Sequence, residues 1–403
     1  MKHRKGILNI FSLFFLFILF CSLPAPIYAQ RNYPELISNL HDAAKTGNME
    51  QLNLILEKGI NVNETDDFGV TALMLASFHG QPDFVKLLLK NGANINAKDM
   101  DGLTSLMYAV LNNQIEIIKL LMDKGADINA KNINGNTALL FAVAKNNIIM
   151  VRLLIDQKVD INAVDLTGNT ALINAARNSY TDIFQVLIDH GADVNVKNIN
   201  GNTALLLASC KDNDYIINSL IYNGAFINER DKNGKTPLIN AISKGKAEIA
   251  KILISNQADL DLKDNLGKSA LMYAVENGET ELIQDLISKG ADIYTKDKED
   301  NSLLIGSALT FRIDILKYLL KLGLDINEKN NEGFTALMQA SLYGNLEMVR
   351  ELLSSGADVS LRNNRGFTAL EIALVKGNKN VVREIQKIET KQKSQKMPDT
   401  KKR

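Results

Sequence analysis

A serine or threonine returns every 33 residues along this chain: Ser38, Thr71, Thr104, Thr137, Thr170, Thr203, Thr236, Ser269, Ser302, Thr335 and Thr368. A leucine follows each of them two residues later, from Leu40 to Leu370, and no step needs an insertion. So strict a period, kept over eleven units, describes a stack of like supersecondary elements rather than one compact core. The decapeptide KNINGNTALL, at 131–140 and again at 197–206, is the same phrase written two units apart.

Local physics gives each unit its form. The recurring Ser or Thr suits the N-cap of a short first helix, where its hydroxyl accepts a free backbone N–H of the first turn. Pro237, directly after Thr236, fits the first helical position, where a missing N–H costs nothing. In the fourth unit Leu139, Ala142 and Val143 form one apolar stripe, and Ile149 or Met150, Val151, Leu154 and Ile155 form a second at helical spacing. Two antiparallel helices follow. Gly92, Gly125, Gly191 and Gly224 mark where second helices stop, since a left-handed C-cap is cheapest at glycine. The stretch ADINAKNINGN then predicts an extended segment and a turn at Asn134-Gly135, a hairpin projecting from the helices. No unit can bury its own stripes, so neighbours stack into a solenoid on the order of 100 Å long.

Departures from the period carry information. Lys158 and Gln257 replace helix-ending glycines, and the ninth unit has Asp300 in the turn-glycine slot, Gly306 in its first helix and Phe311 in place of the inter-helix glycine. It reads as a bend or soft point. The last unit carries Glu371 and Gln386 where earlier ones have Met338 and Leu353, so that end faces water. The segment 389–403 is basic, without apolar periodicity, and is expected to be a disordered tail.

The N-terminus is of another kind. Lys2, Arg4 and Lys5 precede an apolar run from Ile10 to Phe20, then Pro24, Pro26 and a small Ala29. Residues 1–29 read as a secretory signal peptide. Lipidation at Cys21 fits poorly beside bulky Phe20, and an uncleaved anchor stays open; either way the basic flank places the rest outside the cytoplasm. The 46 basic residues then lose three against 46 acidic ones, a near-neutral balance with no nucleic-acid footprint. Cys210 is left alone and cannot form an internal disulfide. Richness in lysine, asparagine and isoleucine suggests a bacterial source.

The phrases GVTALMLASFHG at 69–80, KTPLINAISKG at 235–245 and LLMDKGADINAKN at 120–132 resemble ankyrin repeats. The resemblance spans about residues 33–388 as eleven units and implies an all-α solenoid of helix–turn–helix units with projecting β-hairpin loops. It departs from the family after each leucine, where histidine is frequent in ankyrin repeats: only His41 keeps it, and Met74, Met107 and Leu140 stand at the matching positions.

No converging set of polar groups suggests a catalytic or metal site. His41, His79 and His190 are spread over the first, second and fifth units, and no cofactor is implied. The resemblance instead implies a non-enzymatic, monomeric protein that grips a partner protein on a concave strip of hairpin tips and first helices. Positions there vary while the scaffold repeats. In the second to fourth units they offer Val70, Leu75, Phe78, Leu103, Tyr108, Leu111, Asn136 and Phe141, and near the C-terminus Phe334, Leu342, Tyr343 and Phe367. Exposed aromatics are frequent interface anchors. Some of these residues could instead cover neighbouring helices. The alternative is a membrane-tethered structural scaffold held by an uncleaved N-terminus.

Overall fold

The computed structural model describes residues 33–396, with side chains from 34 to 391. The expected signal segment, 1–29, lies outside the described residues. Among the described residues, twenty-two helices, from Tyr33–Thr46 to Lys379–Lys396, come two by two as eleven helix–turn–helix units. The chain divides into two compact units at Leu166/Thr167. Within each, successive first helices pack side by side, and each packs on its own second helix.

The second unit of the period shows how these residues make their elements. Thr71 is extended and its hydroxyl accepts the N–H of Met74 at 3.3 Å, starting the helix Ala72–His79. Gly80, left-handed at φ 76°, ends that helix, and Pro82 opens the next, Pro82–Lys90. Leu73, Met74, Ala76, Phe84, Val85 and Leu88 are all buried. Each such large side chain contributes roughly 1.5–3 kcal/mol by leaving water. The repeating leucine is buried from Leu40 to Leu337. At Leu370, in the last of the described repeats, it is only half-buried.

Two of the expected caps are occupied without a bond, and one does not exist. Ser269 and Ser302 sit at N-caps, yet their hydroxyls are buried without a partner. Serine lacks the threonine methyl that restricts χ1. Ser38 lies inside the helix Tyr33–Thr46 rather than at its start. No hairpin glycine precedes it, and Tyr33-Pro34-Glu35 opens a helix one turn earlier, with proline and an acid in the first turn where both are tolerated.

The projecting loops contain no β-strand; among the described residues the one β-bridge is Thr65 with Thr71. Their form comes from side-chain turns. Asn132 Oδ1 accepts the N–H groups of Asn134 and Asn136 at 3.0 and 2.8 Å. Asp66, Asn198, Asp231, Asp264, Asp297, Asn330 and Asn363 do the same in their loops. Such turns satisfy backbone donors that a strand pair would otherwise take. Neighbouring loops are then joined by main chain: the Met100 N–H donates to the Phe68 carbonyl at 2.9 Å, Ile133 to Asp101 at 3.0 Å, and Leu166 to Asn134 at 2.9 Å. Gly135, at φ 76°, is required twice over, since a Cβ there would lie 2.8 Å from the Leu166 nitrogen.

A second set of links runs below. Asn96 Oδ1 accepts the Asp127 N–H and Asn129 Oδ1 the Asp160 N–H, both at 2.8 Å. Asn63, part of the sequon Asn63-Glu64-Thr65, belongs to this set: it accepts from the Asn94 N–H and donates to the Gly92 carbonyl at 3.1 Å.

The final helix does not end at Ile388. It runs to Lys396, so residues 389–396 are helical rather than disordered. They are mostly straight-chain helix formers with no glycine or proline before Pro398. The rest of the expected tail, 397–403, lies outside the described residues. At this end Thr368 and Glu371 form a reciprocal capping box, and Gln386 is exposed.

Lys158 and Gln257 hold the left-handed conformation of the glycines they replace, at φ 57° and 64°, and both are exposed. For a residue with a Cβ this costs roughly 1–2 kcal/mol. Lys158→Gly and Gln257→Gly should therefore each raise the unfolding free energy by about 1 kcal/mol, read by urea titration; an unchanged midpoint would mean no strain is stored there.

His41 is buried and its Nε2 has no partner. Burial lowers its pKa from 6.5, outweighing the opposing pull of the Glu64 backbone and Asp66. Unfolding lets the ring take up a proton, so the unfolded chain binds more protons below about pH 6.5. The stability His41 allows is full above that pH and lost as pH falls below it. His41→Met should flatten the decline in melting temperature between about pH 7.5 and about pH 5.5 relative to the natural chain.

Candidate functional site

The positions that vary from repeat to repeat gather on the face made by the loops and first helices, while the scaffold positions are buried. None of the twelve residues singled out in the sequence is fully buried. In the first unit Phe78 and Tyr108 meet edge to face, with ring centroids 6.2 Å apart. The Tyr108 hydroxyl donates to Asp99 Oδ2 at 2.7 Å, while Asp99 Oδ1 accepts the Leu103 N–H in the turn. Burial and that hydrogen bond push the phenol pKa up, so the hydroxyl stays protonated. The Phe78 carbonyl accepts from Asn112 Nδ2 and Gln114 Nε2 at 2.7 and 3.1 Å. Val70, Leu75, Leu103, Leu111, Asn136 and Phe141 are half-buried around this pair or in the adjoining repeats.

The C-terminal group is divided. Phe334, Leu342 and Tyr343 line one cleft of about 410 Å³ between the ninth and tenth repeats, together with Leu309, Gln339, Asn301 and Asn330. Phe367 lies outside that lining and is exposed. Tyr343 stands edge-on to Phe311, 6.0 Å between centroids.

Several exposed groups escaped the sequence reading. Phe68, Met100, Ile133 and Leu166 occupy successive loop tips and are 57–70% exposed. Their signal was an apolar residue three or four before each threonine, ahead of Val70, Leu103 and Asn136, the residues directly before the threonines. Tyr273 repeats the Tyr108 arrangement, its hydroxyl donating to Asp264 Oδ2 at 2.7 Å. The Lys235 ammonium lies 4.8 Å from its ring centroid, a cation–π distance.

Among the described residues no three His, Cys, Asp or Glu side chains gather as metal ligands. The Cys210 thiol is half-buried, donates weakly to the Leu206 carbonyl at 3.8 Å, and has its pKa raised by burial, the opposite of an activated nucleophile. No helix among the described residues is long and apolar enough to cross a membrane.

A stack of capped helix pairs with a varied face and a constant interior defines a repeat-type recognition scaffold. The family model for ankyrin repeats (3 copies) matches residues 40–132, 127–198, 205–297 and 304–395, and the chain belongs to the ankyrin repeat family. Among solved structures it is similar to the human ASB11 ankyrin repeat domain, at 27% identity and a TM-score of 0.50, covering 55% of this chain and 98% of that one. A search of curated proteins gave no match. Ankyrin repeats are in general non-enzymatic protein–protein interaction modules, and this chain carries that type of scaffold.

Gly306 is the one position on this face where the scaffold asks for a side chain and has none. It lies mid-helix without positive φ, and an added Cβ would meet nothing within 4 Å. Gly306→Ala should raise the unfolding free energy by about 1 kcal/mol, the helix-propensity difference. A loss of stability in denaturant titration would show that the space is not free.

Proposed function

We propose that this chain is an exported binding protein that grips a partner protein with its loop-and-first-helix face, chiefly through Val70, Leu75, Phe78, Leu103, Tyr108, Leu111, Asn136 and Phe141. The observation that carries this reading is the contrast between two sets of positions. Thr137 and Leu139 recur as Thr203 and Leu205, all buried, whereas Phe141 becomes Leu207 at a half-buried position on the face. Selection for folding explains the first set but leaves the second free. Half-exposed aromatics on rigid helices supply contact area at small entropic cost.

Export is supported by the basic flank and the apolar run Ile10–Phe20 ahead of Ala29. The same run supports a second reading, a scaffold tethered to a membrane by an uncleaved anchor. N-terminal sequencing of the native protein separates them. A chain beginning at Gln30 supports release, and one retaining residues 1–29 supports the tether.

The face is tested once crosslinking in the source cells has identified a partner. Tyr108→Ser with Phe141→Ser should weaken affinity for it by about thirtyfold, as loss of about 2 kcal/mol at an anchor implies. Ile149→Ser, on an exposed second-helix position, should leave it unchanged. Equal affinities for both variants would overturn the assignment.

A further inference from the structure

The ninth repeat breaks its own pattern three times, at Asp300, Gly306 and Phe311, and although none of the three lines the cleft between it and the tenth repeat, Asp300 lies between two lining residues in sequence and Phe311 packs on a third. Gly306 takes the position that holds Tyr273 one repeat earlier and Gln339 one repeat later, although neither its backbone angle nor its packing requires glycine. Phe311 is held left-handed at φ 61° where Gly278 and Gly344 stand in the flanking repeats. Its ring backs Tyr343, a wall of the cleft. Asp300 is left-handed at φ 62°, between the lining residues Glu299 and Asn301. Two unfavourable backbone conformations and one uncalled-for glycine fall together in the one repeat that borders this cleft, and strain of this kind clusters at functional sites.

The lining states what would fit. Leu309, Phe334, Leu342 and Tyr343 make apolar and aromatic walls. Asn301 and Asn330 are already engaged, Asn330 Nδ2 donating to Asn301 Oδ1 at 2.9 Å and Asn330 Oδ1 serving its turn. Gln339 differs: it is only 9% exposed, lines the cleft and has no side-chain hydrogen bond. Its amide is therefore free to meet an occupant that offers a donor or acceptor, a bond that in a site shielded from water is worth more than at the open surface. At the rim Glu299 and Glu332 are exposed carboxylates against one ammonium, Lys298.

We propose that this cleft is an anchor pocket for one polar-edged aromatic side chain, tryptophan or tyrosine, carried by a partner protein on a segment with lysine or arginine beside it. The ring enters the room left by Gly306 and stacks against Phe334 and Tyr343. Its N–H or O–H meets the Gln339 amide, and the neighbouring cation meets Glu299 and Glu332. The assignment rests on the partner-binding reading above and specifies the chemistry it uses at this end of the chain.

The chain contains no tryptophan, so the indole emission of a probe peptide is seen without background. Acetyl-Lys-Trp-Lys-amide titrated with the protein from Gln30 onward should give saturable, blue-shifted emission. Acetyl-Glu-Trp-Glu-amide should bind about tenfold more weakly, the gap closing as salt rises. Gly306→Leu should abolish saturable binding without lowering the melting temperature, and Gln339→Met should weaken it about tenfold. Should Gly306→Leu unfold the protein, the exposed Tyr343→Ala takes its place and should also abolish binding. No saturation with acetyl-Lys-Trp-Lys-amide, or saturation indifferent to a folded pocket variant, overturns the proposal. The probe needs no partner, so failure here leaves the first-unit face standing. Conversely, Tyr108→Ser with Phe141→Ser should leave probe binding intact.

Discussion

A single helix pair of this chain cannot keep both of its apolar faces dry, and everything regular in the structure follows from that. Leu73, Met74 and Ala76 can be shielded only by the next pair on each side, so each repeat must present a surface complementary to its copies. The same geometry brings loop against loop closely enough for main-chain hydrogen bonds between Phe68 and Met100 or Asp101 and Ile133. Burial therefore fixes the spacing, and the loop links and the Asn96 and Asn129 bonds hold the register. Glycine at Gly135 is a consequence of that spacing, because no Cβ fits between consecutive loops at such an approach.

Much of this was legible in the sequence because the constraint repeats. The period, the threonine caps, the buried leucines and the helix-ending glycines each follow from a local rule met many times over. Even Lys158 and Gln257, which break the rule, adopt the conformation that the rule demands. The misreadings fall where the repetition stops. Ser38 has no turn glycine in the residues before it and is absorbed into a longer helix, and the last helix, with nothing to halt it at Ile388, runs on through residues of high helix propensity. Period alone also could not tell a strand pair from a turn closed by Asn132 or Asp264, since both place the same residues at the loop base.

The face was less legible than the fold. Phase along a helix says that Leu75, Tyr108 and Phe141 point away from the core, and it says this of every residue at that position. Which of them gains a neighbour depends on three-dimensional company: Tyr108 finds Phe78 and Asp99, whereas a side chain at Gly306 would find nothing within 4 Å of its Cβ. A substitution pattern can show that a position varies. It takes the three-dimensional structure to show that Phe311, held left-handed where its neighbours have glycine, stands against a wall of the cleft.

The loop links also bear on how such a surface can change. At the donor position of these links, held by Met100, Ile133 and Leu166 in the first compact unit and by Ile199, Lys232, Asn265, Lys298, Asn331 and Asn364 in the second, the link itself uses the peptide hydrogen, and only the three asparagines add a side-chain bond to the neighbouring loop. Thioether, branched aliphatic, ammonium and amide side chains all serve there with the same bond. A chain built by copying one unit can thus rewrite its tips residue by residue, with proline the one excluded choice, and never reopen the question of whether it folds.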